Sequence, residues 1–458
     1  MPLLDPTDSR PLHFVGIAGA GMSGLAELFL RRGAAVTGCD LHAERAGDLV
    51  RLGATVESGH DPAHLDGVRA VVVSSAIPSS HPELVRARAM GLPVIRRAEA
   101  LAEAVSGGTL VGVAGTHGKT TTTVMTTLAL RSAGLDPTGV VGGRVAEWEG
   151  NLSFGGDDLF VVEADEYDRS FLAIAPTVAT ITNVDADHLD IYRDLEDIQA
   201  TFQRYAAGAR SVVRCGDDAG AASLTLPSTA EIIDYGIDSV DVRLRATELR
   251  VDPRGTRFRV TMDGAELAEV ALRVPGIHNV RNALAAIGAG HVLGAQADAL
   301  ARGIGDYVGV ERRFQLLGTA GGVTVVDDYA HHPTEIAATL AAARDAFPRR
   351  RIVAAFQPHL YSRTRDFASA FGRALSAADV VYLVDIYPSR EAPLPGVTSG
   401  MVADAVVSAG GTIAWSGTVD DLVEALSDSV RDGDVVFTLG AGDITSAGPR
   451  ILRQLSAR

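Results

Sequence analysis

The sequence predicts an α/β protein of three domains, in which mostly parallel sheets are covered by helices on both faces. Apolar runs rich in valine and isoleucine alternate along the whole chain with stretches rich in alanine and leucine. Strands that are buried on both faces of a parallel sheet read as such continuous apolar runs. The length of 458 residues also matches about three domains of roughly 150 residues each.

The first domain is predicted to cover residues 1–107 and to contain one βαβ series. Its strands are predicted at 13–18, 35–39, 70–74 and 93–95, and its helices at 24–32, 43–52 and 83–90. Because strands and helices alternate, we expect a parallel sheet with helices on both faces.

The second domain is predicted to cover 108–316, after a glycine-containing break at 106–108. Two segments in it, 243–249 and 256–260, alternate apolar and polar residues around Pro253-Arg254-Gly255, which predicts a small antiparallel hairpin. Its other strands are predicted at 110–114, 160–163 and 178–183.

The third domain is predicted to cover 317–458, and it repeats the α/β alternation. Its strands are predicted at 323–327, 351–356, 380–384, 412–414 and 435–439.

Composition excludes several classes of protein. Hydrophobic residues make up 47% and charged residues 21% of the chain, which excludes disorder. The net charge of -16 argues against a nucleic-acid or membrane-surface partner. Cys39 and Cys215 cannot form a disulfide framework, and no apolar run reaches the roughly 18 residues of a membrane span. The acidic segment 1–10 does not resemble a signal peptide, so we expect a cytoplasmic protein.

A glycine-rich loop follows the first predicted strand. Gly19-x-Gly21-x-x-Gly24 fits the dinucleotide fingerprint, in which small residues let the backbone approach a pyrophosphate at a helix N-terminus. The pyrophosphate could belong to NAD or to a UDP-sugar, and a tight turn without a ligand is the structural alternative. The predicted contacts are Gly19, Ala20, Gly21, Met22, Ser23, Asp40 near a ribose hydroxyl, and Ser74 and Ser75 at a later strand end.

A second glycine loop, Gly115-Thr116-His117-Gly118-Lys119-Thr120, lies between a predicted strand and a predicted helix. In such a loop backbone N–H groups hold phosphate, the lysine reaches the terminal phosphoryl group and the hydroxyl binds Mg²⁺. Of the 41 lysine and arginine residues of the chain, Lys119 is the only lysine. Because a planar guanidinium does not replace a compact ammonium in a phosphate loop, the sequence predicts a nucleoside triphosphate site here.

Two acidic clusters follow later strands, at 163–168 and 185–190. Strand-end carboxylates near such a loop suit Mg²⁺, and a neutral histidine can join a second metal ion. We predict Glu163 and His188 as metal ligands, whereas the remaining acidic residues fit solvated loops equally well.

Five motifs together resemble the Mur ligases, the amide-forming enzymes of peptidoglycan precursor synthesis, over nearly the whole chain. They are the lysine loop, Glu163-Ala164-Asp165-Glu166-Tyr167-Asp168, Asn183-Val184-Asp185-Ala186-Asp187-His188-Leu189-Asp190, Gly276-Ile277-His278-Asn279-Val280-Arg281-Asn282 and Asp328-Tyr329-Ala330-His331-His332-Pro333. Within the family, Met22-Ser23-Gly24 and the segment 356–364 are most similar to the branch that adds L-alanine to UDP-N-acetylmuramate.

The resemblance implies an N-terminal Rossmann-like UDP-binding domain, a central P-loop ATPase-like domain and a C-terminal Rossmann-like domain. It implies that ATP, with Mg²⁺, phosphorylates the muramate carboxylate and that the amine of L-alanine attacks the acyl phosphate. The partners are then small molecules, with no nucleic acid or membrane, and the enzyme is a monomer or a homodimer.

Site roles carry over from the resemblance by position. Lys119, His188, His331 and Arg363 are the expected catalytic residues, and Thr120, Glu163 and His188 the expected metal ligands. Tyr329, His331 and His332 would contact the amino acid, with at most one of the two histidines needed. The expected ATP contacts are Gly115, Thr116, His117, Gly118, Lys119, Thr120, Thr121, Asn279, Asn282, Arg313 and Asp328.

One departure concerns relatives that place a carbamylated lysine after the Asp-His-x-Asp segment, because residues 191–210 contain no lysine. Three alternatives stay open: a ligase that attaches a recycled peptide to the same sugar nucleotide, an NAD-dependent oxidoreductase, and a nucleotide-regulated binding protein.

Overall fold

The computed structural model describes residues 2–5 and 7–457. Three sheets carry the described strands, and the α/β class predicted from the sequence is confirmed. Besides the elements named below, short 3₁₀ helices occur at Ala43–Ala46, Pro62–Leu65, Ala146–Trp148, Tyr167–Ala173 and Asp443–Ser446.

The first sheet is parallel, with strand order β3-β2-β1-β4-β5. The order reverses between β1 and β4, and ligands of open α/β sheets bind at such a switch point. The elements are β1 (Leu12–Val15), α1 (Ala20–Arg31), β2 (Val36–Asp40), α2 (Gly47–Arg51), β3 (Thr55–Ser58), β4 (Ala70–Val73), α3 (Pro82–Ala89), β5 (Val94–Arg96) and α4 (Arg97–Ala104).

The second sheet is mixed and has ten strands, in the order β15-β14-β13-β12-β11-β10-β6-β9-β7-β8. Its strands are β6 (Thr109–Ala114), β7 (Thr138–Val145), β8 (Gly150–Ser153), β9 (Leu159–Glu163), β10 (Val178–Ile181), β11 (Ser211–Cys215), β12 (Glu231–Gly236), β13 (Leu244–Asp252), β14 (Gly255–Met262) and β15 (Ala265–Leu272). Its helices are α5 (Lys119–Ser132), α6 (Leu195–Ala206), α7 (Ala219–Ala222), α8 (Ile277–Val292) and α9 (Ala297–Gly305).

The third sheet has the order β16-β17-β21-β18-β19-β20, with only the β16–β17 pair antiparallel. Its strands are β16 (Gln315–Ala320), β17 (Val323–Asp328), β18 (Ile352–Phe356), β19 (Val380–Val384), β20 (Ile413–Gly417) and β21 (Val435–Leu439). Its helices are α10 (Pro333–Ala346), α11 (Tyr361–Leu375), α12 (Gly400–Ser408), α13 (Val419–Ser429) and α14 (Ala447–Ser456).

Both faces of the third sheet are buried, which explains the continuous apolar runs in its sequence. Val326 and Phe437 belong to one apolar cluster, and their neighbours Val325 and Val436 belong to another. Successive strand residues point to opposite faces, so both sets of side chains along such a strand are buried and most of them are apolar.

The chain forms two compact units. The first comprises the chain up to Thr247 with Arg259–Val270 and Arg281–Tyr307, and the second comprises Glu248–Phe258, Ala271–Val280 and the chain from Val308 onward. The predicted domain boundaries near 107 and 317 stay predictions.

The structure differs from the predicted elements in two respects. The helix predicted at 43–52 is a 3₁₀ turn followed by α2, with Gly47 at the junction. Several strands were not predicted, namely β3, β7, β8, β11, β12, β15 and β16. Of these, β3 is largely exposed and β7 contains three glycines that weaken an apolar pattern. The predicted hairpin is present, with β13 and β14 joined by Pro253 and Arg254.

Candidate functional site

The first glycine loop joins β1 to the N-terminus of α1, at the switch point of the first sheet. Gly16 has a φ of 77°, and Gly19 is the N-cap of α1 without a side-chain cap. The N-terminal N–H groups of a helix without such a cap suit an anion. Ser74 and Ser75 follow β4, and Ile77 in the same turn comes near Gly16. The residues predicted to surround a pyrophosphate therefore lie at the same edge of the sheet, where β1 and β4 end.

Asp40 supports this loop from the end of β2. Its Oδ2 accepts a hydrogen bond from the N–H of Ala18 at 3.0 Å, and its Oδ1 accepts one from the N–H of His42 at 2.9 Å. The carboxylate thus fixes the backbone of the loop, a role that the prediction of a ribose contact did not include.

Arg97 is a cation beside the first loop that the sequence did not single out. A Cβ atom added to Gly21 would lie 3.0 Å from Arg97 Nη1. The absence of a side chain at position 21 leaves room for this guanidinium beside the loop. Arg97 stands at the start of α4 and is far from the loop in sequence. No local sequence pattern therefore indicates this contact.

The second glycine loop joins β6 to α5 and is held from one side by the segment after β10. The N–H of His117 donates to Asn183 Oδ1 at 2.7 Å, and Thr182 Oγ1 donates to the carbonyl of His117 at 2.6 Å. Because β10 pairs in parallel with β6, both strands end at the same edge of the sheet. Thr182 and Asn183, which follow β10, therefore lie beside the loop that follows β6. The loop conformation is therefore fixed by side chains of the neighbouring strand end.

Lys119 is held in place by three oxygen atoms at the first turn of α5. Its Nζ lies 2.6 Å from the Gly115 carbonyl, 3.1 Å from the Thr116 carbonyl and 2.7 Å from Glu166 Oε2. Burial would lower the pKa of this amine, but the carboxylate of Glu166 raises it above its ordinary value. Lys119 is therefore a fixed positive charge in the loop.

Glu166 connects Lys119 to His188, and the sequence did not identify it as a site residue. Burial would raise the pKa of its carboxyl group, but the charge of Lys119 lowers it. His188 Nε2 lies 3.5 Å from Glu166 Oε1, and burial, which lowers the pKa of His188, is outweighed by Glu166, which raises it. The φ of His188 is 53°, so the contact depends on an uncommon backbone conformation.

Thr120 and Glu163 form a second polar pair beside the same loop. Thr120 Oγ1 donates to Glu163 Oε1 at 2.9 Å, and the N–H of Gly142 donates to Glu163 Oε2 at 2.6 Å. This pair joins the hydroxyl and one carboxylate predicted to bind metal.

Two observations test whether these residues fit Mg²⁺. The pair Thr120–Glu163 supplies hard oxygen donors of the kind that Mg²⁺ prefers. The Nδ1 atom of His188 is buried and has no hydrogen-bond partner among the described residues, which leaves it able to accept a proton or a metal ion. The oxygen pair Thr120–Glu163 therefore fits the predicted Mg²⁺, whereas the nitrogen of His188 is a donor that Mg²⁺ favours less than oxygen.

Asn282 lies against the second loop, since a Cβ atom on Gly118 would come within 2.6 Å of Asn282 Oδ1. Asn279, one turn earlier on α8, donates from Nδ2 to the carbonyl of Pro275 at 2.7 Å. Thr121 is buried, and its hydroxyl is 3.5 Å from Tyr307 OH.

In the second unit, Asp328 ends β17 and is buried. Its Oδ2 accepts from the N–H of Phe314 and its Oδ1 from the N–H of Ala330, each at 2.8 Å. Burial raises the pKa of this carboxyl group to about 6. The guanidinium of Arg313 stacks 5.2 Å from the ring centre of Tyr329 and lies 3.4 Å from Glu335.

The two adjacent histidines have different surroundings. His331 Nδ1 lies 3.1 Å from the carbonyl of Tyr329 and 3.2 Å from Glu335 Oε2. His332 is the N-cap of α10, is 3% exposed and packs edge-on against Phe367. The geometry favours a helix-capping role for His332 and leaves His331 as the candidate for substrate contact.

Arg363 extends this group on α11. Its Nη1 lies 3.4 Å from His359 Nδ1, and the ring of His359 is 6.0 Å from that of His331 and stacks on Tyr387 at 5.7 Å. Three of the four residues in this group were considered from the sequence, and Tyr387 was missed because its segment, 385–391, has no motif.

Taken together, an anion-binding loop at a sheet switch point and a lysine-containing phosphate loop define a nucleotide-dependent α/β enzyme. Family models match three successive segments: "Mur ligase family, catalytic domain" at 11–109, "Mur ligase middle domain" at 113–290 and "Mur ligase, glutamate ligase domain" at 312–442. The chain belongs to the Mur ligase family.

Individual relatives are similar over the full length. A UDP-N-acetylmuramate–L-alanine ligase from Acidothermus cellulolyticus is 46% identical over 97% of this chain and 95% of that protein. The crystal structure of a UDP-N-acetylmuramate–alanine ligase from Thermotoga maritima matches with a TM-score of 0.83 at 28% identity, over 98% of this chain and 99% of that one. A murein peptide ligase from Psychrobacter arcticus matches with a TM-score of 0.74 over 98% and 99% of the chains, at 24% identity, which shows the shared fold alone.

Proposed function

We propose that this chain is an ATP-dependent ligase that joins the amine of L-alanine to the carboxylate of UDP-N-acetylmuramate in peptidoglycan precursor synthesis. The observation that carries the proposal is the loop between β6 and α5, in which the only lysine of the sequence is fixed beside a buried carboxylate. The name of the relative that is 46% identical supports this choice of substrates.

In the proposed reaction the γ-phosphoryl group of ATP moves to the muramate carboxylate, and ADP leaves. The amine of L-alanine then attacks the acyl carbon, loses a proton and displaces inorganic phosphate, which gives the amide. Phosphate is a good leaving group from an acyl phosphate, so most of the catalytic effect comes from positioning and from stabilising charge on the phosphoryl group.

Lys119 supplies a fixed positive charge at the phosphates, and Gly115, Thr116, His117, Gly118 and Thr121 complete the loop around them. Thr120, Glu163 and His188 would hold Mg²⁺, which supplies charge neutralisation on the phosphoryl oxygens when bound. Glu166 orients Lys119 and His188 without being a ligand. Asn279 and Asn282 are proposed on the adenine side of ATP, and Arg313 and Asp328 as further ATP contacts.

The sugar nucleotide is proposed to bind at the first glycine loop. The amides of Gly19–Ser23 and the N-terminus of α1 suit its pyrophosphate, Ser74 and Ser75 lie at the same edge, and Arg97 adds a cation. Tyr329, His331 and Arg363 are proposed to bind the amino acid, with His332 as a structural cap. The cytoplasm is the proposed compartment, because ATP and UDP-sugars are available there. Among the described residues no helix has the length and apolar character needed to cross a bilayer.

The alternatives receive less support. The carboxylate of Asp40, on which an NAD-dependent oxidoreductase would rely for the ribose, accepts two backbone N–H groups. A nucleotide switch would not need the polar group around Arg363 in the second unit. A ligase for a recycled peptide differs only in its acceptor amine, so it must be tested directly.

The test is mass analysis of the products formed from ATP, Mg²⁺, UDP-N-acetylmuramate and a mixture of amino acids with a murein tripeptide. We expect UDP-N-acetylmuramoyl-L-alanine and one ADP per amide. A tripeptide adduct would favour the peptide ligase, and phosphate release without any adduct would contradict both ligase readings.

Lys119→Arg tests the loop itself. We expect loss of amide formation in a variant that stays folded, because the guanidinium does not fit between two carbonyls and Glu166 as the ammonium does. Near-normal turnover in this variant would disprove the assignment of Lys119.

A further inference from the structure

A cluster of histidines surrounds one buried carboxylate in the first sheet, and none of its residues belongs to the proposed ligase site. Four of the twelve histidines of the chain lie around Glu83, which is 0% exposed at the first turn of α3. Cys39, on β2, completes the group. The histidines are His13 on β1, His60 before a 3₁₀ turn, His64 within that turn and His81 at the start of α3.

Four different donor atoms converge on one point of this cluster. Glu83 Oε1 lies 3.0 Å from His64 Nδ1, 3.2 Å from Cys39 Sγ and 3.8 Å from His13 Nε2. The donor atoms of His13, Cys39, His64 and Glu83 all lie within 4.8 Å of one another. Ligand atoms around a tetrahedral Zn²⁺ are separated by about 3.3–3.6 Å, given the usual bond lengths.

One ring nitrogen of His13 lacks a hydrogen-bond partner among the described residues. His13 Nδ1 is 3.0 Å from Thr37 Oγ1, whereas its Nε2 is buried and lies 3.8 Å from Glu83 Oε1. His13 is 1% exposed, so water does not replace the missing partner at its surface. If Thr37 accepts the Nδ1 proton, a lone pair of His13 faces a carboxylate oxygen, and two acceptors attract only through a proton or a metal ion.

The thiol of Cys39 lies in the same group. Its Sγ lies within 3.3 Å of both oxygens of Glu83 and of Nδ1 of His60. Glu83 is 0% exposed, and a buried carboxylate needs hydrogen-bond donors or a cation around it. Sulfur, nitrogen and oxygen donor atoms therefore meet at one buried carboxylate.

We propose that His13, Cys39, His64 and Glu83 form a structural site for a divalent transition-metal ion, with Zn²⁺ as the best chemical match. Two imidazoles, a thiolate and a carboxylate are donors that Zn²⁺ accepts in tetrahedral geometry, whereas Mg²⁺ prefers oxygen atoms alone. Four protein ligands leave no open position, as is typical of a structural rather than a catalytic ion.

The surrounding residues suit the outer shell of such a site. Thr37 is placed to fix the ring of His13 through Nδ1, and His60 and His81 lie 3.5 Å and 3.7 Å from the other oxygen of Glu83. Metal-bound histidines and carboxylates commonly have such second partners. The side chain of His64 is 17% exposed, which gives the ion a path from solvent. The site would connect β1, β2 and α3, and Cys39 directly precedes Asp40, which supports the first glycine loop.

The test uses the full chain, stripped with a chelator and then titrated with Co²⁺ or Zn²⁺ without nucleotide. We expect one Co²⁺ per chain with a thiolate-to-cobalt charge-transfer band and the intense visible bands of a tetrahedral complex. Cys39→Ser should abolish the charge-transfer band, whereas Cys215→Ser, which changes the other buried cysteine, should keep it. The band separates this site from ion binding at the phosphate loop, where none of the residues involved is cysteine.

Two further variants keep the test decisive if Cys39→Ser does not fold. His64→Gln changes the most exposed ligand and should weaken Zn²⁺ affinity at least tenfold. Thr37→Val should weaken it by about 10–100-fold, as expected for an outer-shell partner. Zn²⁺ should also raise the thermal unfolding midpoint of the wild type. The absence of a charge-transfer band in the wild type, or its persistence in Cys39→Ser, would show that the cluster is only a proton-linked network and would overturn the proposal.

Discussion

Asp328 is a buried carboxyl group whose ionisation opposes folding. Its oxygens accept hydrogen bonds from the N–H groups of Phe314 and Ala330, but burial dominates and raises its pKa to about 6, from 3.8 in a model compound. Below pH 3.8 the group is neutral in both the folded and the unfolded chain. As the pH rises from about 4 to about 6, the unfolded chain releases the proton first, and the folded state loses roughly 3 kcal/mol.

This pH dependence is testable with Asp328→Asn. The amide cannot ionise, so its cost is the same at every pH, and the stability of the variant should fall less than that of the wild type between pH 4 and pH 7. Denaturant unfolding of both proteins at several pH values measures the difference, expected at roughly 3 kcal/mol or less. Parallel pH profiles would show that the pKa of Asp328 is not raised in the folded state.

At the level of single residues, the sequence predicted what is local and missed what is brought together by folding. Lys119 was predictable because it is the only lysine and stands in a glycine loop. Glu166 was not, because its contact with Lys119 depends on the 3₁₀ segment after β9. Arg97 was missed for the same reason, since only the packing of α4 brings it to Gly21.

At the level of elements, the start of α5 depends on a glycine that no other residue can replace without strain. Gly118 has a φ of 80°, and a Cβ atom there would lie 2.6 Å from Asn282 Oδ1. Gly134, just after the other end of the same helix, has the same φ of 80° with nothing within 4 Å of the added atom. Substitutions at the two positions therefore separate the cost of backbone strain, which both would have, from the cost of a steric clash with Asn282, which only Gly118 would have.

We expect Gly134→Ala to lower the free energy of unfolding by about 1–2 kcal/mol, because alanine would have to adopt a left-handed backbone conformation. ATP binding should be unchanged. Gly118→Ala should add displacement of Asn282 and weaken ATP binding at least tenfold. Thermal unfolding and nucleotide titration of both variants measure these effects. Equal affinity of the two variants for ATP would contradict the proposed role of this loop.

Strand prediction succeeded where both faces of a sheet are buried. Ile352–Phe356 reads as a continuous apolar run because each face of the third sheet has its own core, and Val435–Leu439 is interrupted only by Thr438. The exposed strand Thr55–Ser58 carries no such run, since its side chains do not need to be apolar. The short antiparallel β16 was also missed, because most of its residues are only half-buried.

At the level of the whole molecule, two compact units should unfold separately. We expect calorimetry to show at least two transitions, because multidomain chains rarely unfold in one step. ATP with Mg²⁺ should raise the midpoint of the transition that belongs to the first unit, which holds Lys119, because binding at 100 times the dissociation constant stabilises that unit by about 2.7 kcal/mol. Lys119→Arg serves as the control and should lose this shift. A single transition with equal calorimetric and van 't Hoff enthalpies would contradict the division.

The sequence predicted the α/β class but not the way the two units divide the chain. The boundaries between the two units fall within β13, β14 and β15. They depend on which residues meet in the folded chain, and no change in composition along the sequence marks them. The net charge of -16 likewise gave no sign of the anion sites proposed at the two glycine loops, where backbone N–H groups and a few cations would contact phosphate.

The fixed position of Lys119 also affects how the chain can be labelled. A reagent that acylates side-chain amines finds one target in the whole sequence, and that amine is 13% exposed and paired with Glu166. Acylation would remove the charge of the phosphate loop at a single known atom. A bound nucleotide would shield that atom, so the extent of labelling would report how much of the enzyme is occupied.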